Sequence, residues 1–187
     1  MVNALIDARY VWQYMTYAHV VSFDWWSAVS GLPCSPSIDG AQCYTAFNAS
    51  NGYNSALVYI DDNYNQTHDY NFYYTKRTWM MKHYAYFHRP GSVRYDVPQA
   101  QLPDTTNIFA SKLDSVWSVF FMNHANATQN LTFVPPESGA TLSRAVLTDP
   151  FVDWEDDTDA IAQTAAANGS LLLQLPAMSF LTLQFAS

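Results

Sequence analysis

Leu5, Ala8, Trp12 and Met15 stand three and four residues apart near the start of the chain, with Asn3 ahead of them as an N-cap. That spacing predicts an amphipathic helix over residues 5–18. The run Val20-Val-Ser-Phe-Asp-Trp-Trp26 is different: short, mostly apolar, β-branched and aromatic. It reads as a buried strand. Between residues 30 and 52 Gly, Pro, Ser and Asn accumulate in what reads as one long loop, the kind that is usually functional or stapled. A second short strand is expected at 56–60, then a polar stretch to Tyr70, then a second helix from about 73 to 87. His88-Arg-Pro-Gly91 stops that helix, because proline cannot continue it and glycine accepts the left-handed turn that follows.

Past Gly91 the helical period disappears. Strand-like runs follow at 92–96, 107–112, 116–123, 130–134, 142–148, 170–175 and 179–185, separated by Pro, Asp, Asn and Gly. Seven short strands in under 100 residues read as an antiparallel sandwich. The change of texture sets a boundary near Pro90, giving regions 1–90 and 91–187.

Composition narrows the partners. At 187 residues and 49% hydrophobic the chain can bury an ordinary core. Eight Lys plus Arg against 16 Asp plus Glu leave a net charge of -8, which repels phosphate backbones and anionic lipid, so neither nucleic acid nor a membrane is an expected partner. No apolar run is long enough to span a bilayer, and the first residues have neither the basic nor the apolar region of a signal peptide. Five Asn-x-Ser/Thr sequons, at Asn48, Asn65, Asn126, Asn130 and Asn168, nevertheless favour a secretory origin. So do the only two cysteines, Cys34 and Cys43, which lie close enough to be a candidate disulfide. The expectation is a secreted parent whose true N-terminus precedes Met1. Aromatics at 16% suit both a β-rich core and surfaces that stack on sugars.

A search for self-contained catalytic machinery finds none. There is no Gly-x-Ser-x-Gly elbow, no phosphate loop before a lysine and no second cysteine pair for zinc. His83 and His88 are five apart where metal pairs want three or four, so a solvent-facing or helix-end role is expected. The acidic run 153–159 lacks the glycine-centred spacing of a calcium loop and reads as solvated. Neither a metal nor a cofactor is expected. Glutamate occurs only at 137 and 155, both in loop-like surroundings of the sandwich half, so no acid and nucleophile pair is available.

The stretch from Tyr73 through Lys76-Arg-Thr-Trp-Met-Met-Lys-His-Tyr-Ala-Tyr-Phe-His-Arg-Pro-Gly-Ser-Val-Arg-Tyr95 resembles the last barrel helix and domain junction of glycoside hydrolase family 30. Phe23-Asp-Trp-Trp26 is similar to that family's eighth barrel strand, and Leu175-Pro-Ala-Met-Ser-Phe-Leu-Thr182 to its final sandwich strand. With the cysteine loop and the Arg94-Tyr-Asp-Val97 continuation, the likeness is greatest to the endo-β-1,6-galactanase-like branch. The resemblance implies the end of a (β/α)8 TIM barrel (helix, last strand, last helix) followed by an all-β sandwich. It implies a C-terminal fragment of a retaining enzyme acting on β-1,6-linked galactan, with both catalytic glutamates upstream of Met1. No catalytic residue lies in this chain under that reading, and the chain alone is expected to be inactive.

What remains is a share of the substrate wall: Asp24, Trp25 and Trp26, near the C-terminal end of the barrel strand where such sites lie. Asp24 is the only carboxylate expected near the sugar. If Asp24 faces the pocket, strand alternation puts Trp26 on its side, whereas likeness to the family's eighth-strand tryptophan favours Trp25, and Trp25 is the preferred expectation for the sugar contact. The alternative function is a free-standing sandwich that binds carbohydrate without cleaving it. A helix–strand–helix unit ahead of the sandwich discriminates against that alternative.

Overall fold

The computed structural model describes residues 1–32, 38–49, 55–99, 102–166 and 169–187. In chain order its elements are α1 (Val2–Thr16), β1 (Val29–Leu32), α2 (Gly40–Ala49), β2 (Val58–Asp61), α3 (Tyr64–Thr67), β3 (Phe72–Tyr74), α4 (Lys76–Phe87), β4 (Val93–Tyr95), β5 (Thr106–Leu113), β6 (Val116–Asn123), β7 (Gln129–Phe133), β8 (Thr141–Thr148), β9 (Glu155–Asp156), α5 (Thr158–Ala162), β10 (Leu171–Leu175) and β11 (Ser179–Ala186). They gather into two compact units, residues 1–21 with 79–187, and residues 22–78. No helix among the described residues is long and apolar enough to cross a membrane.

The larger unit contains all seven strands expected beyond Gly91. Six strands form one antiparallel sheet in the order β4-β5-β6-β11-β8-β9, and β7 pairs with β10 in a second, two-stranded sheet. The β10 residues Leu171, Leu173 and Leu175 point inward while Leu172 and Gln174 point out, the period of two that a half-buried strand requires. With Ile108, Val119, Phe121, Leu181, Leu183 and Phe185 they form the sandwich core. Strand β6 is buried on both faces. Its second face, with Phe120 fully buried, receives Tyr84 of α4 at a ring separation of 4.6 Å. Helix α1 is tied into the same unit by Trp12 Nε1, which donates to the Ile108 carbonyl at 2.8 Å, and by the Ala8 carbonyl, which accepts from the Tyr84 hydroxyl.

Several expectations need correction here. Asn3 is not the N-cap: Met1 is, and the Met1 carbonyl already accepts from the Leu5 N–H. His83 is not solvent-facing. Met80, His83, Tyr84 and Phe87 share the buried face of α4, and both imidazole nitrogens meet hydroxyls, Nδ1 that of Thr182 at 2.7 Å and Nε2 that of Thr148 at 3.1 Å. The acidic run is not merely a solvated loop. Glu155 and Asp156 pair with Leu147 and Val146 on the edge of the sheet, and Asp157 is the N-cap of α5. The stop after α4 is as expected: Arg89-Pro-Gly-Ser92 closes a turn through Ser92 N–H to Arg89 O at 3.0 Å, with Gly91 at φ +90. Proline second and a left-handed glycine third define a type II turn.

The smaller unit is built on a three-stranded sheet in the order β1-β2-β3, with β1 and β2 parallel and β3 antiparallel to β2. Residues 20–26, expected as a strand, have no ladder. A parallel strand needs neighbours to take its N–H and C=O groups, none among the described residues pairs with this run, and the ladder opens at Val29 instead. The expected loop over 30–52 holds β1 and α2. Asp39 caps that helix by accepting from the Gln42 N–H at 2.9 Å, and Cys43, Tyr44 and Phe47, three and four apart, pack with Leu32, Ala56 and Tyr59.

Candidate functional site

Asp24, Trp25 and Trp26 all lie in the smaller unit, just before β1, and they alternate although they are not in a strand. Asp24 is exposed, Trp25 is half-buried and Trp26 is 91% exposed. Trp25 is anchored: its Nε1 donates to the Ser55 carbonyl at 2.8 Å and its ring lies 6.2 Å from that of Phe23. Trp26, joined to Ser27 by a cis peptide, offers its whole indole to solvent.

Asp61 and Asp62 stand at the close of β2, and Asp69 stands beside Asp61 against Gly40, the first residue of α2. Asp61 ends β2 and is buried; it accepts from Asn63 N–H at 2.8 Å and from the Thr67 hydroxyl at 2.5 Å. The Asp62 side chain occupies the space that a Cβ on Gly31 would need, and Asp69 and Asp61 together fill that of Gly40. A side chain at either glycine would displace these carboxylates, and at Gly40 it would also press on the Cβ of Asp61. Asp69 accepts from Asn71 N–H at 3.0 Å, from Asn71 Nδ2 at 2.7 Å and from the Tyr73 hydroxyl.

The electrostatics fix what this group can do. The Tyr73 hydroxyl, more than any other neighbour, holds the Asp69 carboxyl below the usual range, and burial, reinforced by Asp69, pushes Tyr73 up to about 12. Asp69 is thus an ionised acceptor near neutral pH and Tyr73 a firm donor. Neither is a proton source for a leaving group. Among the described residues the carboxyl pushed upward is Asp157, by burial first and then by Glu155 and Asp156, and it belongs to the larger unit. No three His, Cys, Asp or Glu side chains among the described residues are grouped to hold a metal ion. An Asp-Asp doublet closing the 56–60 run was the available signal for Asp61 and Asp62. Asp69 and Tyr73 are brought in by the tertiary fold.

Of the remaining expected positions, Asn65 is exposed on α3, Asn126 is exposed after β6, and Asn130 is exposed on β7 opposite Gln174. Cys43 is buried. Its expected partner Cys34, the side chain of Asn48, and Asn168 lie outside the described residues.

No family model matches the chain, and no curated protein is similar enough to match. Solved structures do match. The glycoside hydrolase family 30 subfamily 8 xylanase Xyn30A of Clostridium acetobutylicum superposes with a TM-score of 0.70 at 17% identity, over 100% of this chain and 39% of that one. The catalytic domain of the family 30 xylanase C from Talaromyces cellulolyticus gives 0.68 at 18% identity, over 98% of this chain and 35% of that one. A family 51 α-L-arabinofuranosidase, AbfB of Bifidobacterium longum, gives 0.60 at 12% identity, over 100% and 35%. The chain spans well under half the length of each. These likenesses establish an architecture: the chain has the β-sandwich fold found at the C-terminal end of family 30 glycoside hydrolases.

Proposed function

We propose that these 187 residues are the C-terminal part of a secreted, retaining family 30 glycosidase, with residues 1–90 completing a TIM barrel and residues 91–187 forming its sandwich. The observation that carries this reading is the asymmetry of the structural match, which takes in all of this chain but only 35–39% of the two xylanase chains. The outer side of α1 supports it. Val2, Ile6, Tyr10, Tyr14 and Tyr17 form an exposed apolar stripe opposite the face buried on the sandwich, as a helix wedged between two layers would. The substrate is a β-linked polysaccharide; preference for β-1,6-galactan rests on the resemblance in sequence.

In this reading the smaller unit supplies part of the substrate wall. Trp26, with its indole uncovered, stacks on a sugar ring, while Trp25, held to Ser55, positions the segment. The exposed carboxylate of Asp62 and the half-buried one of Asp69 accept sugar hydroxyls. Cleavage needs a proton donor and a nucleophile about 5 Å apart across one bond, and this reading puts both on glutamates upstream. Asn65, Asn126 and Asn130 are exposed enough to carry glycans, and Cys34 with Cys43 closes the 34–43 loop.

The test is activity. The chain alone should release no reducing sugar from β-1,6-galactan, xylan or β-glucan at any pH. A longer chain with the missing barrel strands fused ahead of Met1 should cleave one of them, and lose roughly tenfold or more in kcat/KM on Trp26→Ala. Hydrolysis by the 187 residues alone, abolished by Asp24→Asn, would overturn the reading. The closed core of the larger unit favours a second reading, a non-catalytic carbohydrate-binding sandwich, which predicts glycan binding and no gain of activity on fusion.

A further inference from the structure

Lysine and arginine number eight in the whole chain, and three of them stand around one pair of rings in the larger unit. Lys82 Nζ lies 3.9 Å above the ring of Trp154. The guanidinium carbons of Arg89 and Arg144 each lie 5.2 Å from the centre of the Tyr86 ring. Tyr86 and Trp154 meet edge to face at 5.6 Å, and Phe87 stacks on Trp154 at 5.4 Å, so the platform under the cations is packed and fixed.

The cations are held by rings and carbonyls, not by acids. Arg89 Nε donates to the Tyr86 carbonyl and Arg144 Nη1 to the Tyr86 hydroxyl, one of five donors in each case. Elsewhere in the chain Arg94 pairs with Asp96 and Lys112 with Glu137. Asp156 feels the charge of Arg144, but its carboxylate accepts from the N–H and hydroxyl of Thr158. Burial lowers the Lys82 pKa, and the like charge of Arg144 adds to that as a smaller repulsion. An arriving anion would relieve that repulsion.

The same connection that supplies Trp154 displays an aromatic ring. Asp149 Oδ1 accepts from Phe151 N–H at 2.7 Å and from Val152 N–H at 2.9 Å, and Asp149 N–H donates to the Val152 carbonyl, closing a tight turn. Phe151 at its tip is 92% exposed. A preset turn that holds a large ring in water without packing it presents that ring for stacking.

We propose that Arg89, Arg144 and Lys82, together with Phe151, form a contact surface for an anionic carbohydrate: the guanidinium groups take the carboxylate of a uronic acid residue and Phe151 stacks on a neighbouring sugar ring. Planar forks with free N–H pairs match a carboxylate. Glu155 and Asp156 on the same connection are exposed and add negative charge, which disfavours a densely charged polyphosphate. The choice of carbohydrate rests on the glycosidase reading above.

The probe is polygalacturonate with half its carboxyls methyl-esterified, tested by affinity electrophoresis of the full 187-residue chain, with the same polymer after carboxyl reduction as the neutral match. Retardation is expected in the acidic polymer only, weakening steeply with salt. Arg89→Gln/Arg144→Gln should weaken it about tenfold or more, the scale of lost charge-assisted hydrogen bonds. Phe151→Ala should weaken it severalfold without altering the salt dependence. Circular dichroism checks that the variants fold, and Arg89→Gln alone, at an exposed site, keeps the test if Arg144→Gln does not. No retardation, equal retardation in the reduced polymer, an unchanged folded variant, or equal binding of double-stranded DNA would each overturn the proposal. Activity of the fused, longer chain is a separate readout, so loss of the glycosidase reading and loss of this site are distinguishable.

Discussion

The two compact units solve the same problem with different completeness. In the larger one the central strands β6 and β11 have both faces covered, and each apolar side chain of β10 that points inward meets one from the facing sheet. In the smaller one the buried hydrophobic set is Leu32, Cys43, Ala56 and Tyr59, while Trp26, Tyr64, Tyr70, Phe72 and Tyr74 are exposed. Phe72 and Tyr74 share one face of β3, so the sheet is covered on one side by α2 and presents rings on the other. The sheets of the larger unit therefore close over their own core, while the sheet of the smaller unit keeps one face of exposed rings.

The contrast is broken most directly by hydrogen exchange and a core truncation. Phe120→Ala should destabilise the larger unit by about 3–5 kcal/mol in urea titration, the range for emptying a packed phenylalanine site. Amides of β5, β6 and β11 should then exchange only with global unfolding, and those of β1 to β3 sooner. Equal protection of both units would erase the distinction. Next in size is the expected disulfide of the smaller unit. Cys43→Ser should cost it about 2–3 kcal/mol in the loop-entropy model, and two free thiols in non-reduced peptides would remove that contribution.

Acid should act on the larger unit. Burial, with the charges of His88 and Lys82 behind it, pushes His83 down to about 3, and burial does the same to His88. The folded pKa lies below the unfolded value of about 6.5, so the unfolded chain binds more protons in between. Stability is fully present above about 6.5 and is lost as pH falls towards about 3. Between pH 7 and 5 the loss from His83 should be roughly 2 kcal/mol, and His83→Gln should flatten that slope. The smallest effect expected is Trp26→Ala, within about 0.5 kcal/mol for an exposed side chain, against about 1–3 kcal/mol for Trp25→Ala, which orphans the Ser55 carbonyl. Similar costs for both would move Trp26 from display into packing.

How far the sequence speaks differs along the same line. Where one element supplies its own signal, the reading holds: the alternation of β10, the long apolar runs of β5, β6 and β11, and the Arg-Pro-Gly stop after α4. It fails where a partner decides. Residues 20–26 have strand composition but no ladder to join. Helix α2 was concealed by the Gly, Pro and Ser around it, although Cys43, Tyr44 and Phe47 had helical spacing. Strand β9 exists because the edge of β8 is available, in a run too acidic to suggest a strand. The distance of His83 from His88 points to a helix end or solvent, whereas its spacing from Met80, Tyr84 and Phe87 decides its burial. At the site, Trp25 and Trp26 were legible as a pair with alternating faces; Asp69 with Tyr73 was not, since only folding brings that phenol to that carboxylate.

Strand β11 lies between β6 and β8 and, among the described residues, is the strand that joins them, with eight residue pairs to β6 and seven to β8. It is also made after both. During synthesis β5 and β6 can join as a hairpin, and β8 can take β9, but the two half-sheets have no shared hydrogen bonds until β11 leaves the ribosome and inserts. Until then each half shows the chaperone machinery an open edge and a bare apolar face. Closure of the sandwich is therefore a late, long-range event in the life of each molecule, slow because the pairing that completes the sheet spans some sixty residues from β6 to β11. A nascent chain halted before Ser179 would be two fragments of a sheet waiting for the strand that joins them.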